Sequence, residues 1–224
     1  MKKKSTIILV LLTLLVMIDG IANAQTYVDL GLPSGTLWAD RNVGAASPED
    51  YGDYFAWGET TSKSNYDWST YKYLKYAHGE DYNKLTKYCS QSKYGNNGYI
   101  DTLATLERSD DVATVNWGKD WCMPASQQFQ ELKDNCTWTW TTRNGKNGYE
   151  VKGQNGNLLF LPAAGYLGVT NLNDVGSFGY YWSSSLDTDD PEFGRGLVFN
   201  FGFVSPVRWI YRPYGQSVRP VRCR

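Results

Sequence analysis

A single histidine, His78, is the one side chain in the sequence whose ordinary pKa suits proton transfer near neutral pH. A Ser-His-Asp or Cys-His arrangement would have to use it. No G-x-S-x-G nucleophile elbow occurs, so an ordinary surface histidine is the expectation. Paired carboxylates can cleave glycosidic bonds without histidine, and two dense acidic clusters are present, LERSDD at 106–111 and LDTDDPE at 186–192. The first suits a helix N-terminus, where carboxylates meet free N–H groups. The second places Asp187, Asp189 and Asp190 in a loop between strands, with oxygens that a hard cation such as calcium would accept. It lacks the glycine and closing glutamate of a twelve-residue calcium loop, and a solvated acidic loop is the plainer reading. No phosphate-cradling glycine motif occurs, so nucleotide cofactors have no support and no resident cofactor or metal is expected.

Cys89, Cys122, Cys136 and Cys223 are widely spaced, with no C-x-x-C pair, which argues against zinc. An even count in an exported protein reads as two disulfides, with three pairings open.

Aromatic rings are the abundant resource: 9 Trp, 17 Tyr and 8 Phe, roughly twice an average composition. Flat apolar rings with polar edges suit protein contacts and stacking on sugar faces. Trp138 and Trp140 alternate with threonines and point to one side of a strand, and Trp182 lies mid-strand in GYYWSSS. These three are expected in the core. Trp209, Tyr211 and Tyr214, in RWIYRPYG, are expected to be exposed, because Arg208, Arg212 and Pro213 interrupt the run.

The elements that must position these residues begin after a leader. Lys2 to Lys4 precede an apolar stretch from Ile7 to Ile18 that ends in Ala22-Asn23-Ala24, which describes a cleaved secretory signal peptide over 1–24. The stretch is shorter than the roughly 20 residues of a membrane span. Removing it leaves 19 basic and 22 acidic residues and no basic run, so nucleic acid and anionic membrane surfaces are not expected partners. The remaining 25–224 suits one domain.

Thr36 to Val43 and Tyr54 to Trp57 read as strands. Residues 60–103 are polar and tyrosine-rich without a fixed period, and read as a long surface insertion packed through its rings. Asp110-Asp111 caps a short helix ending near Asn116. Ser126 is the expected N-cap of a second, with Phe129 and Leu132 facing inward and Asn135-Cys136 at its end. Asn144-Gly145, Asn147-Gly148 and Asn155-Gly156 are turn dipeptides. Strands follow at 148–153, 158–162, 180–184, 196–203, 207–211 and 217–221. Two short helices among many strands predict an α+β domain dominated by antiparallel sheet.

The ordered series LPSGTLWADRNVGA (32–45), YFAWGE (54–59), NWGKDWCMPASQQFQEL (116–132), LFLPAAGYLG (159–168), GYYWSSSL (179–186) and GQSVRPVRC (215–223) resembles the Fibrobacter succinogenes major paralogous domain family, exported proteins of Gram-negative gut and rumen bacteria. The resemblance covers about 34–224. It implies a C-type-lectin-like fold, distantly related to the formylglycine-generating sulfatase-modifying enzymes. Those enzymes hold copper with two neighbouring cysteines near the C-terminus, and only Cys223 stands there in this chain. The calcium-dependent sugar motifs E-P-N, Q-P-D and W-N-D are also absent. Cys122 stands where the family usually has arginine, and Pro220 falls where many members end in S-V-R-C. The joint appearance of two odd cysteines implies a Cys122–Cys223 disulfide, leaving Cys89 with Cys136.

These readings predict a C-type-lectin-like α+β domain with two short helices and long loops. It would be exported to the periplasm, cell surface or medium and act without catalysis as a recognition or adhesion module of the envelope. A glycan is the expected ligand class, with an envelope or host protein next. The expected face is Asp187, Asp189, Asp190, Trp209, Tyr211 and Tyr214. The alternatives are a structural subunit of a surface assembly and a carboxylate-based hydrolase.

Overall fold

The computed structural model describes residues 25–75 and 84–223; the predicted leader 1–24 and His78 lie outside them. Among the described residues the strands are almost all antiparallel, with two α-helices and three single 3-10 turns. Both ends of the described chain meet in one small sheet. Its strands β1 (Tyr27–Asp29), β2 (Leu37–Ala39), β3 (Trp121–Cys122) and β12 (Val221–Arg222) lie in the order β1-β2-β12-β3. A second sheet is a meander of β4 (Thr137–Arg143), β5 (Lys146–Lys152) and β6 (Leu158–Pro162). A two-stranded ribbon joins β7 (Tyr166–Gly168) to β8 (Asn171–Asn173). The central sheet holds β9 (Phe178–Leu186), β10 (Phe193–Asn200) and β11 (Phe203–Tyr211), in the order β11-β10-β9.

Local chemistry explains the meander. Asn144 and Gly145 both take positive φ, 48° and 76°, which is the tight-turn geometry that asparagine and glycine accept at low cost. Asn147-Gly148 is not a turn, contrary to expectation. It lies inside β5, and Gly148 is required there because a Cβ would sit 2.3 Å from the Leu161 carbonyl oxygen. Helix α1 (Val112–Trp117) is capped as predicted: Asp111 Oδ1 accepts from the Ala113 and Thr114 N–H groups at 2.9 and 3.1 Å. Helix α2 (Ser126–Asn135) begins differently. Ala125 occupies the cap position, Gln128 Oε1 accepts its N–H at 2.8 Å, and Ser126 is already helical. Phe129 and Leu132 are fully buried.

The central sheet is the wall between two cores, because side chains alternate across a strand. Tyr181, Leu197 and Phe199 project into the core formed with Trp38, Phe129 and Leu159. Trp182, Val198 and Ile210 project into the other, formed with Trp57, Tyr66 and Tyr88. Trp182 is therefore in the core as expected. Trp138 and Trp140 are only half-buried, edge-on to Tyr149 with ring centres 5.4 and 5.2 Å away, because β4 is an edge strand and covers the rim.

The segment 60–103 corrects the sequence reading most. Tyr66, Tyr71, Tyr73, Leu85, Tyr88 and Cys89 are buried members of the core around Trp57 and Trp182, so these side chains of its described part belong to the interior and not to the surface. Arg212, one of the residues that interrupt the aromatic run, is the hub that holds it. Its guanidinium is fully buried and donates to Tyr71 Oη (2.8 Å), to the Tyr88 and Pro191 carbonyls (3.0 and 2.8 Å) and to the Lys87 carbonyl (3.1 Å). It also lies 5.0 Å from the Trp57 ring centre, in cation–π contact.

Asp110 adds an ionic clamp on the same segment. Its carboxylate accepts from Lys72 Nζ (3.1 Å), Lys87 Nζ (2.6 Å) and Tyr88 Oη (2.7 Å). Burial pushes this carboxyl up, but the hydrogen bonds from Lys87, Tyr73, Tyr88 and Lys72 outweigh it and hold the pKa at about 2. An unfolded aspartate titrates near 3.9, so on acidification the unfolded chain takes the proton first. The clamp's stabilisation is whole above about pH 4 and lost as pH falls through about 2. Asp110→Asn should cost about 1–2 kcal/mol at pH 7, allowing for the half-exposed Lys72. It should cost almost nothing below about pH 2, as measured by urea unfolding across that range.

Cys122 and Cys223 form the implied disulfide, with Cα atoms 5.5 Å apart, Cys122 in β3 and Cys223 directly after its neighbour β12 in the terminal sheet. The expected Cys89–Cys136 partner bond is absent: both are free thiols. Cys89 packs in the core beneath Arg212 and donates to the Gln91 carbonyl, whereas Cys136 ends α2 against the opposite core. Burial raises both thiols, Cys136 to about 11 with Glu131 adding to the shift, which keeps them protonated and unreactive.

Candidate ligand-binding site

On the face of the central sheet that carries Trp182, the core around Trp57 and Trp182 opens into an aromatic cavity of about 280 Å³. Three segments build it. The sheet contributes Phe178, Tyr180 and Val198, with Phe203, Arg208 and Ile210 from β11. The ribbon contributes Tyr166, and the C-terminal segment brings Tyr214 and Gln216. Rings run around it in contact. Phe178 stacks on Tyr180 at 5.8 Å, Tyr180 meets Tyr166 at 5.1 Å, and Tyr166 meets Tyr214 at 5.6 Å. Tyr214 then meets Tyr211 at 5.8 Å, and Tyr211 meets Phe193 at 4.3 Å. Trp209 closes the series 5.0 Å from Phe193, with the Arg208 guanidinium 5.4 Å from its ring.

The C-terminal segment is held there by backbone pairing. Leu167 and Gly215 exchange two hydrogen bonds of 2.8 Å, and Phe55 and Gln216 exchange two of 3.0 Å. Gly215 permits this approach, since a Cβ would lie 2.7 Å from the Tyr66 ring. Gln216 is fully buried, and among the described residues neither its Oε1 nor its Nε2 has a hydrogen-bond partner. Each unmatched buried polar group costs about 1–3 kcal/mol. The cavity therefore has rings for walls and an unmatched amide at its inner boundary.

The six residues expected to form one face divide between two depressions that share Trp209. Trp209, Tyr211 and Tyr214 line the aromatic cavity, with Trp209 52% and Tyr211 39% exposed and Tyr214 half-buried. Asp187 and Asp190 line a neighbouring cavity of about 220 Å³ with Phe193 and Trp209. Asp189 lines neither described cavity. Within the acidic loop Asp187 turns its carboxylate inward, while Asp189 stays exposed. Asp187 is buried, pairs with Arg195 at 3.1 Å and accepts from the Asp189 and Asp190 N–H groups at 3.1 and 3.3 Å. Asp190 accepts from the Glu192 N–H at 3.2 Å, and Ser90 Oγ ties the loop to the tyrosine-rich segment through the Thr188 carbonyl. These oxygens shape the loop, and among the described residues no group of three or more His, Cys, Asp or Glu is placed to hold a metal ion. Of the acidic residues at 107–111, Asp110 is bound by lysines and Asp111 caps α1.

Sequence reasoning missed Tyr166, Tyr180 and Gln216. Tyr180 was recoverable, since alternation in GYYWSSS puts it on the face of Trp182. Nothing local marks Gln216 as sealed. No family model matches the chain, and no curated protein or solved structure matches it.

Proposed function

We propose that the chain is an exported, non-catalytic recognition module of the cell envelope that binds glycan through the aromatic cavity beside Trp209. The family reading goes with it: a C-type-lectin-like domain of the Fibrobacter succinogenes major paralogous type, on the motifs quoted above. The carrying observation is the exposed ring series around a concave site whose apolar faces are edged by tyrosine hydroxyls and Arg208, a mixture suited to a small polar ligand. Its volume lies near the lower end of the roughly 300–1,000 Å³ typical of such pockets, which suits one or two sugar rings.

The test is a glycan array of the mature chain, with and without calcium, followed by Trp209→Ala. The variant should lose at least about tenfold in affinity while its melting temperature stays within about 2 °C, because the half-exposed ring carries little of the fold. Absence of binding with or without the ion, alongside co-purification with another envelope protein, would favour a structural subunit. One observation supports that second reading: β11 is the outer strand of its sheet, and Phe201 and Phe203 are exposed beside it.

A further inference from the structure

We infer that Arg208 sets the specificity of this site and that the ligand class is an anionic glycan, a sugar carrying a carboxylate or a sulfate ester. The inference rests on the glycan reading above and deepens it. Arg208 is the one charged side chain among the described residues lining the aromatic cavity. It leaves β11 on the same face as Ile210, and opposite it on β10 is Gly196, which has no side chain to cover it. Every other described arginine is paired with a carboxylate or donates to a carbonyl. Among the described residues Arg208 does neither. It is exposed, and its guanidinium lies 5.4 Å from the Trp209 ring centre with its donors free.

Such a group selects by charge. A guanidinium offers parallel N–H donors in one plane, which match two oxygens of a carboxylate or a sulfate, and these charge-assisted bonds are roughly twice as strong as neutral ones. A sugar hydroxyl gains less, and an ammonium is repelled. Stacking on the rings uses the faces of a sugar and leaves its edge for the guanidinium. Nearby acids decide which end of the cavity takes the charge. Burial raises the Tyr211 phenol, and Glu192 and Asp190 raise it further. Burial also raises the Tyr180 phenol, with its hydrogen bond to Asp174 adding to the shift, but there Arg208 opposes it. Asp174 accepts that bond at 3.0 Å and does not line the cavity. The anionic end of the ligand therefore lies toward Tyr180 and Arg208, away from Tyr211.

The experiment is an array of matched pairs probed with the full mature chain: uronate oligosaccharides beside their methyl esters, and sulfated oligosaccharides beside the same chains without sulfate. Titration calorimetry then measures the best pair with the parent protein, Arg208→Gln and Arg208→Lys. The expected result is a preference of at least about tenfold for the anionic member, shrinking as salt is raised. It should vanish in Arg208→Gln and survive in part in Arg208→Lys. Both variants should melt within about 2 °C of the parent, because the side chain is exposed, so a lost preference is not a lost fold. The pairs that show the preference tell a carboxylate from a sulfate ester. Binding confined to neutral sugars, neutral members as tight as their anionic partners, or a preference that persists in Arg208→Gln overturns the assignment and leaves the glycan reading standing. Binding of no glycan at all overturns both.

Discussion

Replacing Arg212 with methionine is expected to lower the unfolding free energy by about 3–5 kcal/mol. The guanidinium donates to Tyr71 Oη and to the carbonyls of Tyr88 and Pro191, all buried, and to the part-buried Lys87 carbonyl. Methionine fills much of the volume but donates nothing, so several acceptors lose a charge-assisted partner at once. The contact with the Trp57 ring is lost as well. Lysine should rescue only part of the loss, since a compact ammonium cannot span three carbonyls and a phenol in one plane. Chemical denaturation of the three proteins checks this, and a methionine variant within 1 kcal/mol of the parent would show that Arg212 is not the hub described. The same variant should loosen the acidic loop, because the Pro191 carbonyl is one of the four acceptors. Amide hydrogen exchange in 187–192 would report that separately from the global transition.

The second large effect is redox. The Cys122–Cys223 bond closes a loop of 101 residues, for which chain-entropy arguments give up to about 4.7 kcal/mol and measured cases more often about 2–4. Cys122→Ser with Cys223→Ser should therefore lower the melting temperature by roughly 5–15 °C, given about 2–4 °C per kcal/mol at this chain length. Reductant should do the same to the parent protein and nothing further to the double variant. Cys89→Ala and Cys136→Ala should leave this redox response unchanged, because neither thiol is bonded. A redox response that vanishes in either single alanine variant would refute the pairing.

What could be read from residues alone was local. Asp111 before a short apolar run announces a capped helix, Phe129 and Leu132 three apart announce its inner face, and Asn144-Gly145 announces its turn. Each depends only on near neighbours in sequence. The interior role of 60–103 was hidden because partners far along the chain decide it. Tyr66 pairs with Val169, and Arg212 holds Tyr71 and Tyr88 from over a hundred residues away. With no strict period in the segment, nothing in its own residues separates a buried tyrosine from an exposed one. The aromatic face was half legible for the same reason. Trp209 and Tyr211 stood out in a run broken by charges, but Tyr166 and Gln216 reach the cavity only through pairing between the ribbon and the C-terminal segment. The acidic loop lies between strands as expected, but nothing in its own residues announces that Asp187 is occupied by Arg195 and by its own backbone.

Because β9 turns alternate residues toward opposite interiors, Tyr181 to one and Trp182 to the other, neither half of the molecule owns a complete boundary. A shortened chain with 60–103 excised would not be a trimmed version of the same protein. It would uncover one side of a partition whose other side is still furnished, leaving Trp57 and Trp182 facing water. Anyone seeking a minimal version should cut loops elsewhere, at the turns that join strands of a single sheet.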